Sequence, residues 1–421
     1  MLTVVGGCYR EVCLRPEWNQ LFGSGVRAAA AVTALLPSPP LLVTRAAGRE
    51  RRTLAVLAGT YGFGLDIRPR PGPVEFQYDH PLTPPRLYPD RRDLGPVPPL
   101  AVEADCVLAF SFMEGDCRAA AGTLVYDPQA GRRALPPSQA GVRSNRLAVV
   151  ANLGEARAMA LALGGGEPAR GHPATEFGRF LLEREKAEVV VVKNGVEGAT
   201  VVTTGRTGLI PSFITPTVFP IGSGDVFSAA FAALWGVRGM DPFDSARLAS
   251  VATAHYCHTQ TLPLPPDLAS LVGGYESGNA GTREAADRPL VYLAGPFWTL
   301  PQLWLLNESR RCLEGQDLAV FSPFHEVGLL ADEPTAEQVI RVAQADLSGL
   351  ERADAVFALL DGLDPGTLFE VGYARSRGKP VVGLAEAVPR SALTMYEGTG
   401  CFLTPDFTTA VYRAGWEARR K

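Results

Sequence analysis

The sequence predicts an α/β fold class in two domains, each with helices around a mostly parallel sheet, and three observations predict it. The chain has 421 residues, too many for one typical core, and its 46% apolar fraction is enough to fill two. Short runs that are apolar on both faces, at 188–193, 290–294, 355–360 and 381–384, alternate with helical patterns rich in Ala, Leu and Arg. A parallel sheet covered by helices on both sides has this pattern. The alternation breaks between 263 and 288, in a polar stretch containing Gly273-Gly274 and Gly278-Asn279-Ala280-Gly281, before a new strand opens at Leu290. The expected organisation is a first domain at 1–270, a linker at 271–288 and a second domain at 289–421.

A net charge of −4 provides no cationic field for a polyanion, and no block of like charge marks a basic arm, so nucleic acid is not an expected partner. The seven cysteines are scattered and never spaced C-x-x-C, which argues against a disulfide framework or a zinc site. No apolar run approaches membrane-spanning length, and the chain opens on the strand-like Leu2-Thr3-Val4-Val5 without a basic leader. A cytoplasmic protein with no membrane partner is therefore expected. A proline-crowded stretch at 68–99, containing Phe76-Gln77-Tyr78-Asp79-His80-Pro81, reads as a lid or an oligomer contact rather than core.

The first chemical constellation is Pro220-Ile221-Gly222-Ser223-Gly224-Asp225, followed by the apolar Val226-Phe227-Ser228-Ala229-Ala230-Phe231. Glycines permit close backbone approach, and amides at the start of a helix face an anion. Asp225 then stands where a transferred phosphoryl group arrives, placed to take the proton of an attacking hydroxyl. Taken alone, an ordinary strand-to-helix turn with an acid near its start has the same pattern. Upstream, the strand Val149-Val150-Ala151-Asn152 is followed by Glu155, and Val189 to Lys193 runs into the paired-glycine turn Gly195-Val196-Glu197-Gly198.

In this order the three motifs resemble the PfkB family of sugar and nucleoside kinases over 1–270. The resemblance implies a ribokinase-like α/β/α sandwich, ATP as co-substrate with Mg²⁺, and a small-molecule sugar or nucleoside acceptor. It implies Asp225 as catalytic base, and Gly222, Ser223 and Gly224 as the anion hole. Asn152 and Glu155 fall on the Mg²⁺–phosphate side, Glu155 as the metal residue, and Gly195 and Gly198 lie near the nucleotide. The acceptor end departs from the family. In Phe22-Gly23-Ser24-Gly25-Val26-Arg27-Ala28-Ala29, Ala28 stands where a sugar-binding Asn is expected, and Gly6-Gly7-Cys8-Tyr9-Arg10-Glu11 lacks the usual early Asp. Arg10 and Glu11 are candidates to replace these groups, with a surface salt bridge as the alternative.

The second constellation lies in the last third of the chain. Leu290-Val291-Tyr292-Leu293-Ala294 reads as a strand running into Gly295-Pro296, and a helix through Asp346 to Asp354 precedes the strand at 355–360. Then come Asp361-Gly362-Leu363-Asp364-Pro365-Gly366-Thr367 and a helix bearing Glu370. Ligands of open α/β sheets gather beyond strand C-termini, where Asp361, Asp364 and Glu370 fall. Two carboxylates at such a place suit attack on a glycosidic carbon. Singly, Asp364 reads as a helix cap and Glu370 as a solvated side chain.

The whole order closely resembles the nucleoside 2-deoxyribosyltransferase family over about 289–400. The resemblance implies a smaller doubly wound, flavodoxin-like parallel sheet. It implies Glu370 as nucleophile at the anomeric carbon, Tyr292 holding that carboxylate, Asp346 as acid/base facing the nucleobase, and Asp364 with Gly366 at the sugar. It also implies a homo-oligomer, since family members complete the pocket with a Met of a neighbouring chain, here Met395. Ser391-Ala392-Leu393-Thr394-Met395 lacks the Asn that transferases present, which leaves water as an acceptor beside a second base. The expected protein is a bifunctional enzyme of nucleoside metabolism. The alternative is an N-terminal domain reduced to a nucleotide sensor or oligomerisation platform, with only the C-terminal glycosidase active.

Overall fold

The valine run Val189–Lys193 is a strand buried on both faces. Its residues divide by parity: Val189 and Val191 pack into one apolar cluster, and Val190 and Val192 into another. Such alternation is what a central strand between two helical layers requires. The computed structural model describes residues 1–95, 97–129, 131–168, 171–278, 288–330 and 333–420. The chain divides into two units, Met1–Ala280 and Gly281–Lys421, each with its own core.

Among the described residues the first unit has a nine-stranded sheet. Its order is Thr207–Ile210, Ala199–Thr203, Val189–Lys193, Val142–Asn152, Cys117–Asp127, Leu100–Phe110, Leu2–Val5, Leu41–Ala46 and Gly64–Pro69. Pairing is parallel from Val189–Lys193 onward and antiparallel for the two strands at the other edge. Helices Gly23–Val32, Ser223–Phe231 and Pro242–Thr259 share the first cluster, and Leu153–Ala162 and Pro173–Glu185 the second, giving three α/β/α layers.

The proline-crowded stretch contributes strands Glu75–Tyr78 and Arg86–Tyr88, which join Arg10–Cys13 and Trp18–Leu21 in a separate four-stranded sheet. This sheet carries Glu11 on one face and Arg10 on the other, because neighbours along a strand point to opposite sides. The residues expected as linker from 271 include the end of a 3₁₀ turn, Ala269–Gly274, and the strand Glu276–Ser277 paired with Phe213–Ile214. The rest of that expected linker, 279–287, lies outside the described residues.

Among its described residues the second unit has five strands, all parallel, in the order Ala319–Phe321, Leu290–Ala294, Ala355–Leu359, Val381–Leu384 and Phe402–Thr404. Numbered along the chain this is 2-1-3-4-5, and the order reverses between Leu290–Ala294 and Ala355–Leu359, the kind of switch point at which open α/β sheets form a ligand crevice. Helix Ala336–Arg352 starts with a capping box of Thr335 and Gln338. Near its end Gly349 lies against Phe321, where an added Cβ would stand 2.4 Å from the ring. The Phe321 ring stacks on Tyr292 at 5.5 Å, so this close approach brings the turn bearing Asp346 toward the crevice. Among the described residues no helix is long and apolar enough to cross a membrane.

Candidate active sites

In the second unit the crevice collects the acidic groups. Tyr292 is fully buried in the first strand and donates its hydroxyl to Glu370 Oε1 at 2.6 Å. Glu370 lies on helix Pro365–Ser376, which follows the third strand, so the bond spans the point of sheet reversal. Burial pushes Glu370 up to about 7; Tyr292 pulls it down, while Asp346 and Asp364 push it further up. Burial likewise pushes Asp346 up to about 6, and its Oδ1 is buried without a hydrogen-bond partner among the described residues. Two carboxyls raised toward neutrality beside one another can divide acid and base roles between them.

Asp364 is a helix cap: Oδ2 accepts from the Thr367 amide at 2.9 Å and the Thr367 hydroxyl at 3.1 Å. Its Oδ1 accepts from the Trp298 indole at 3.1 Å. Burial opposes its ionisation, but these hydrogen bonds outweigh burial and hold it below the usual carboxylate range. The capping reading and the placement beside Glu370 are thus both realised, because a carboxylate has lone pairs beyond those a cap uses. Gly366 lies in the first turn of the same helix, with Asp364 Oδ2 3.1 Å from where a Cβ would be. Trp298 is 67% exposed and lies against Phe297, ring centroids 4.5 Å apart. Met395 is 74% exposed on the short helix Thr394–Gly398. Asp361 accepts from the amides of Glu386 and Ala387 and so pins the loop after the fourth strand.

Replacing Tyr292 by phenylalanine removes a hydrogen bond to the charged form of Glu370, so the Glu370 pKa must rise. Any activity that needs ionised Glu370 then has its acidic limb moved to higher pH. The bond is of the kind worth about 1.5–3 kcal/mol, roughly one to two pH units. A pH profile of kcat/KM for Tyr292→Phe against wild type measures the displacement; superimposable limbs would remove Tyr292 from this role.

In the first unit the predicted Asn152 meets two residues that the sequence analysis did not single out, Asp127 and Lys193, at the carboxyl ends of three adjacent parallel strands. Asp127, Asn152 and Lys193 are the last residues of Cys117–Asp127, Val142–Asn152 and Val189–Lys193. Asn152 and Glu155 form a capping box, the Asn152 side chain accepting from the Glu155 amide at 2.9 Å and Glu155 accepting from the Asn152 amide at 3.0 Å. Lys193 Nζ reaches Asp127 Oδ2 at 2.8 Å and Ser228 Oγ at 3.4 Å. It also lies 3.4 Å from where a Cβ on Gly224 would be. Glu155 is pushed up to about 7, by burial first and then by Asp127, with Lys193 opposing.

Asp127 is buried, and its Oδ1 has no hydrogen-bond partner among the described residues. An orphaned carboxylate oxygen beside a second crowded carboxylate fits a divalent cation, and a lysine beside a helix N-terminus fits phosphate. The turn at Gly195 and Gly198 requires glycine at its second position: Gly198 has φ +102°, and a Cβ there would lie 2.0 Å from the Ile210 carbonyl oxygen.

Asp225, in the first turn of Ser223–Phe231, is held from both sides. Its Oδ2 accepts from Arg27 Nη1 at 2.8 Å, and its Oδ1 accepts a short hydrogen bond from Gln129. Burial raises Asp225, Arg27 lowers it and Glu11 raises it again, leaving it above the usual carboxylate range. Arg27 donates Nη1 to Glu11 Oε1 at 3.0 Å, Nη2 to Glu11 Oε2, and Nε to the Tyr256 hydroxyl at 3.0 Å. Its side chain is 1% exposed and passes Gly222, where a Cβ would overlap it at 2.1 Å. Ala28, on which the sequence comparison fell, is fully buried in the helix, and the side chain that reaches the site is the preceding one.

Residues 291–401 match the family model described as nucleoside 2-deoxyribosyltransferase, and residues 116–262 the model described as pfkB family carbohydrate kinase. The chain joins a PfkB segment to a nucleoside 2-deoxyribosyltransferase segment. Both are families of enzymes. Tyr292, Asp346, Asp364 and Glu370 fall within the residues matched by the first model, and Asp127, Asn152, Lys193 and Asp225 within those matched by the second.

Among solved structures the chain is similar to a ribokinase from Thermotoga maritima, at 16% identity and a TM-score of 0.47, covering 65% of this chain and 99% of that one. It is similar to a nucleoside kinase of Burkholderia thailandensis in complex with inosine, at 13% identity and a TM-score of 0.47, covering 66% of this chain and 100% of that one. A curated but uncharacterized protein of Schizosaccharomyces pombe is 31% identical over 103 residues, 23% of this chain. The chain spans about half the length, 49%, of that relative.

Sequence reasoning missed Arg27, Asp127, Gln129 and Lys193 as functional residues. A signal was present for two of them. Arg27 is the one charge in an otherwise apolar helix start, and Asp127 ends an apolar strand as Asn152 does.

Proposed function

We propose that the protein is a bifunctional enzyme of nucleoside metabolism whose transferase segment breaks the N-glycosidic bond of a (deoxy)nucleoside. The observation that carries this reading is the Tyr292–Glu370 hydrogen bond at the sheet reversal, with Asp346 close enough to raise Glu370. In the proposed first step a Glu370 oxygen bonds to the anomeric carbon and the bond from that carbon to the base nitrogen breaks. The base leaves with a proton from Asp346. Water or a second base then attacks the glycosyl ester and releases Glu370, returning its proton to Asp346. Asp364, held as an anion, would accept a hydrogen bond from a free sugar hydroxyl and repel a phosphate, which favours nucleosides over nucleotides. Incubation with deoxynucleosides, with and without an acceptor base, followed by chromatography of free base, tests it. Release without acceptor identifies hydrolysis and exchange identifies transfer; absence of both overturns the reading.

The half-buried and exposed apolar residues of the transferase segment, including Val339, Ile340, Phe369 and Met395, support association into a homo-oligomer in which Met395 completes a neighbour's pocket.

For the PfkB segment the reading is transfer of the γ-phosphate of ATP to a sugar or nucleoside hydroxyl. Asp225 takes the hydroxyl proton, and the amides of Gly222, Ser223 and Gly224 with Lys193 hold phosphate. Asp127 and Glu155 would hold a magnesium ion, which when bound neutralises phosphate charge. Asp225→Asn is then expected to abolish ATP-dependent phosphorylation, measured with labelled ATP, and to leave glycosidic cleavage intact; equal loss of both would contradict two separate sites. A second reading, nucleotide binding without transfer, is favoured by the ion pair of Asp225 with Arg27.

A further inference from the structure

We propose that Arg27 is an internal lock on the PfkB segment: its guanidinium fills the place beside Asp225 that an acceptor hydroxyl must enter, and replacing it opens that place. The proposal rests on the second reading just given and names the residue responsible for it. A general base must come within about 2.6–3.2 Å of the hydroxyl whose proton it takes. At Asp225 one oxygen already holds Arg27 Nη1 at 2.8 Å and the other the Gln129 amide, so an acceptor hydroxyl would have to share an oxygen with a buried guanidinium or displace it.

The arrangement is built rather than incidental. Glu11 meets the guanidinium fork with both oxygens, Tyr256 accepts from Nε, and the Phe22 ring lies 5.2 Å from its centre. Gly222 leaves the space through which the side chain passes. Each of these groups comes from a different part of the chain: the small sheet, the helices at Gly23–Val32 and Pro242–Thr259, and the loop before Asp225. A guanidinium does not surrender its proton in any ordinary pH range, so the lock is not released by titration of Arg27. Glu11 is what secures it, since a second buried carboxylate gives the cation a partner independent of Asp225.

The test is a double variant, Arg27→Met with Glu11→Gln, in the full chain. It removes a buried cation and its private counter-charge at similar volume, a change such pairs often tolerate. Phosphoryl transfer from labelled ATP is measured with ribose, fructose, inositol and a nucleoside as acceptors. In an unlocked site Asp225 takes the hydroxyl proton, the acceptor oxygen bonds to the γ-phosphorus, and the bond to ADP breaks. The expected result is a rise of at least about 100-fold over wild type, the lower end of what a positioned base contributes. Adding Asp225→Asn should return it to the wild-type level, a reversal that a merely structural effect would not produce.

Transfer by the wild type at a rate the variant does not raise overturns the second reading and the lock together. A silent wild type with a folded but silent variant overturns the lock and leaves the second reading standing. Retained circular dichroism shows that the variant is folded. Should the double variant not fold, Arg27→Lys serves, because an ammonium cannot reach Glu11, Asp225 and Tyr256 together. It should show a smaller rise, and wild-type-level silence in that folded variant likewise overturns the lock.

Discussion

Glu370→Ala is expected to lower release of free base from a deoxynucleoside by roughly 1000-fold or more, because it removes the atom that would carry the glycosyl group between the two steps. The variant should fold, since Glu370 is not part of the apolar core and its burial disfavours its charge. Loss of that carboxylate relieves the crowding of Asp346 and Asp364, so stability should hold or rise slightly near neutral pH. The sign follows from linkage. A carboxyl raised to about 7 in the folded chain costs stability once pH exceeds its unfolded value near 4.5, and the cost grows until the folded group ionises. Chromatography of free base over a long incubation measures the activity, and thermal unfolding measures the stability. An alanine variant with unchanged turnover would assign the chemistry to another residue.

The second large effect concerns the other unit. Arg27→Ala alone, unlike the paired replacement by methionine and glutamine, leaves Glu11 and Asp225 as two buried carboxylates without their cation. Removing one partner of a buried, hydrogen-bonded ion pair costs about 3–5 kcal/mol. It also empties the space beside Gly222 and strips the Tyr256 hydroxyl of a donor. The N-terminal unit should therefore unfold at markedly lower urea concentration, while base release by the C-terminal unit persists under conditions where both are folded. Adding Glu11→Gln to Arg27→Ala should recover part of the loss, because one stranded charge goes with it. A denaturation midpoint unchanged by Arg27→Ala would mean that these carboxylates are reached by water in the folded chain.

The buried strands were legible in the sequence because both faces of each are covered. A run such as Val189 to Val192 has no other stable use, and the same holds for Leu290 to Ala294. The Tyr292, Asp346 and Glu370 grouping was legible only through the resemblance to the nucleoside 2-deoxyribosyltransferase family, since strand-end topology by itself points to Asp361, Asp364 and Glu370. Arg27 and Asp127 were harder to read. Their roles depend on partners about 200 and about 70 residues away, Asp225 and Lys193, and pairings of that range leave no local spacing. Asp364 shows a further limit: its pattern supports a cap and a ligand equally, and the fold satisfies the first without excluding the second. The small sheet formed by Glu75–Tyr78 and Arg86–Tyr88 was masked by the prolines around it, which interrupt any periodic signal.

The contact of Gly349 with Phe321 has a practical consequence. The gap between the proposed nucleophile and proton donor is set by the absence of one methyl group, since a helix that could not lie flush against that ring would carry Asp346 outward with it. Enlarging residue 349 while shrinking residue 321 therefore offers a way to retune the cleft for bulkier leaving groups without touching any acidic side chain.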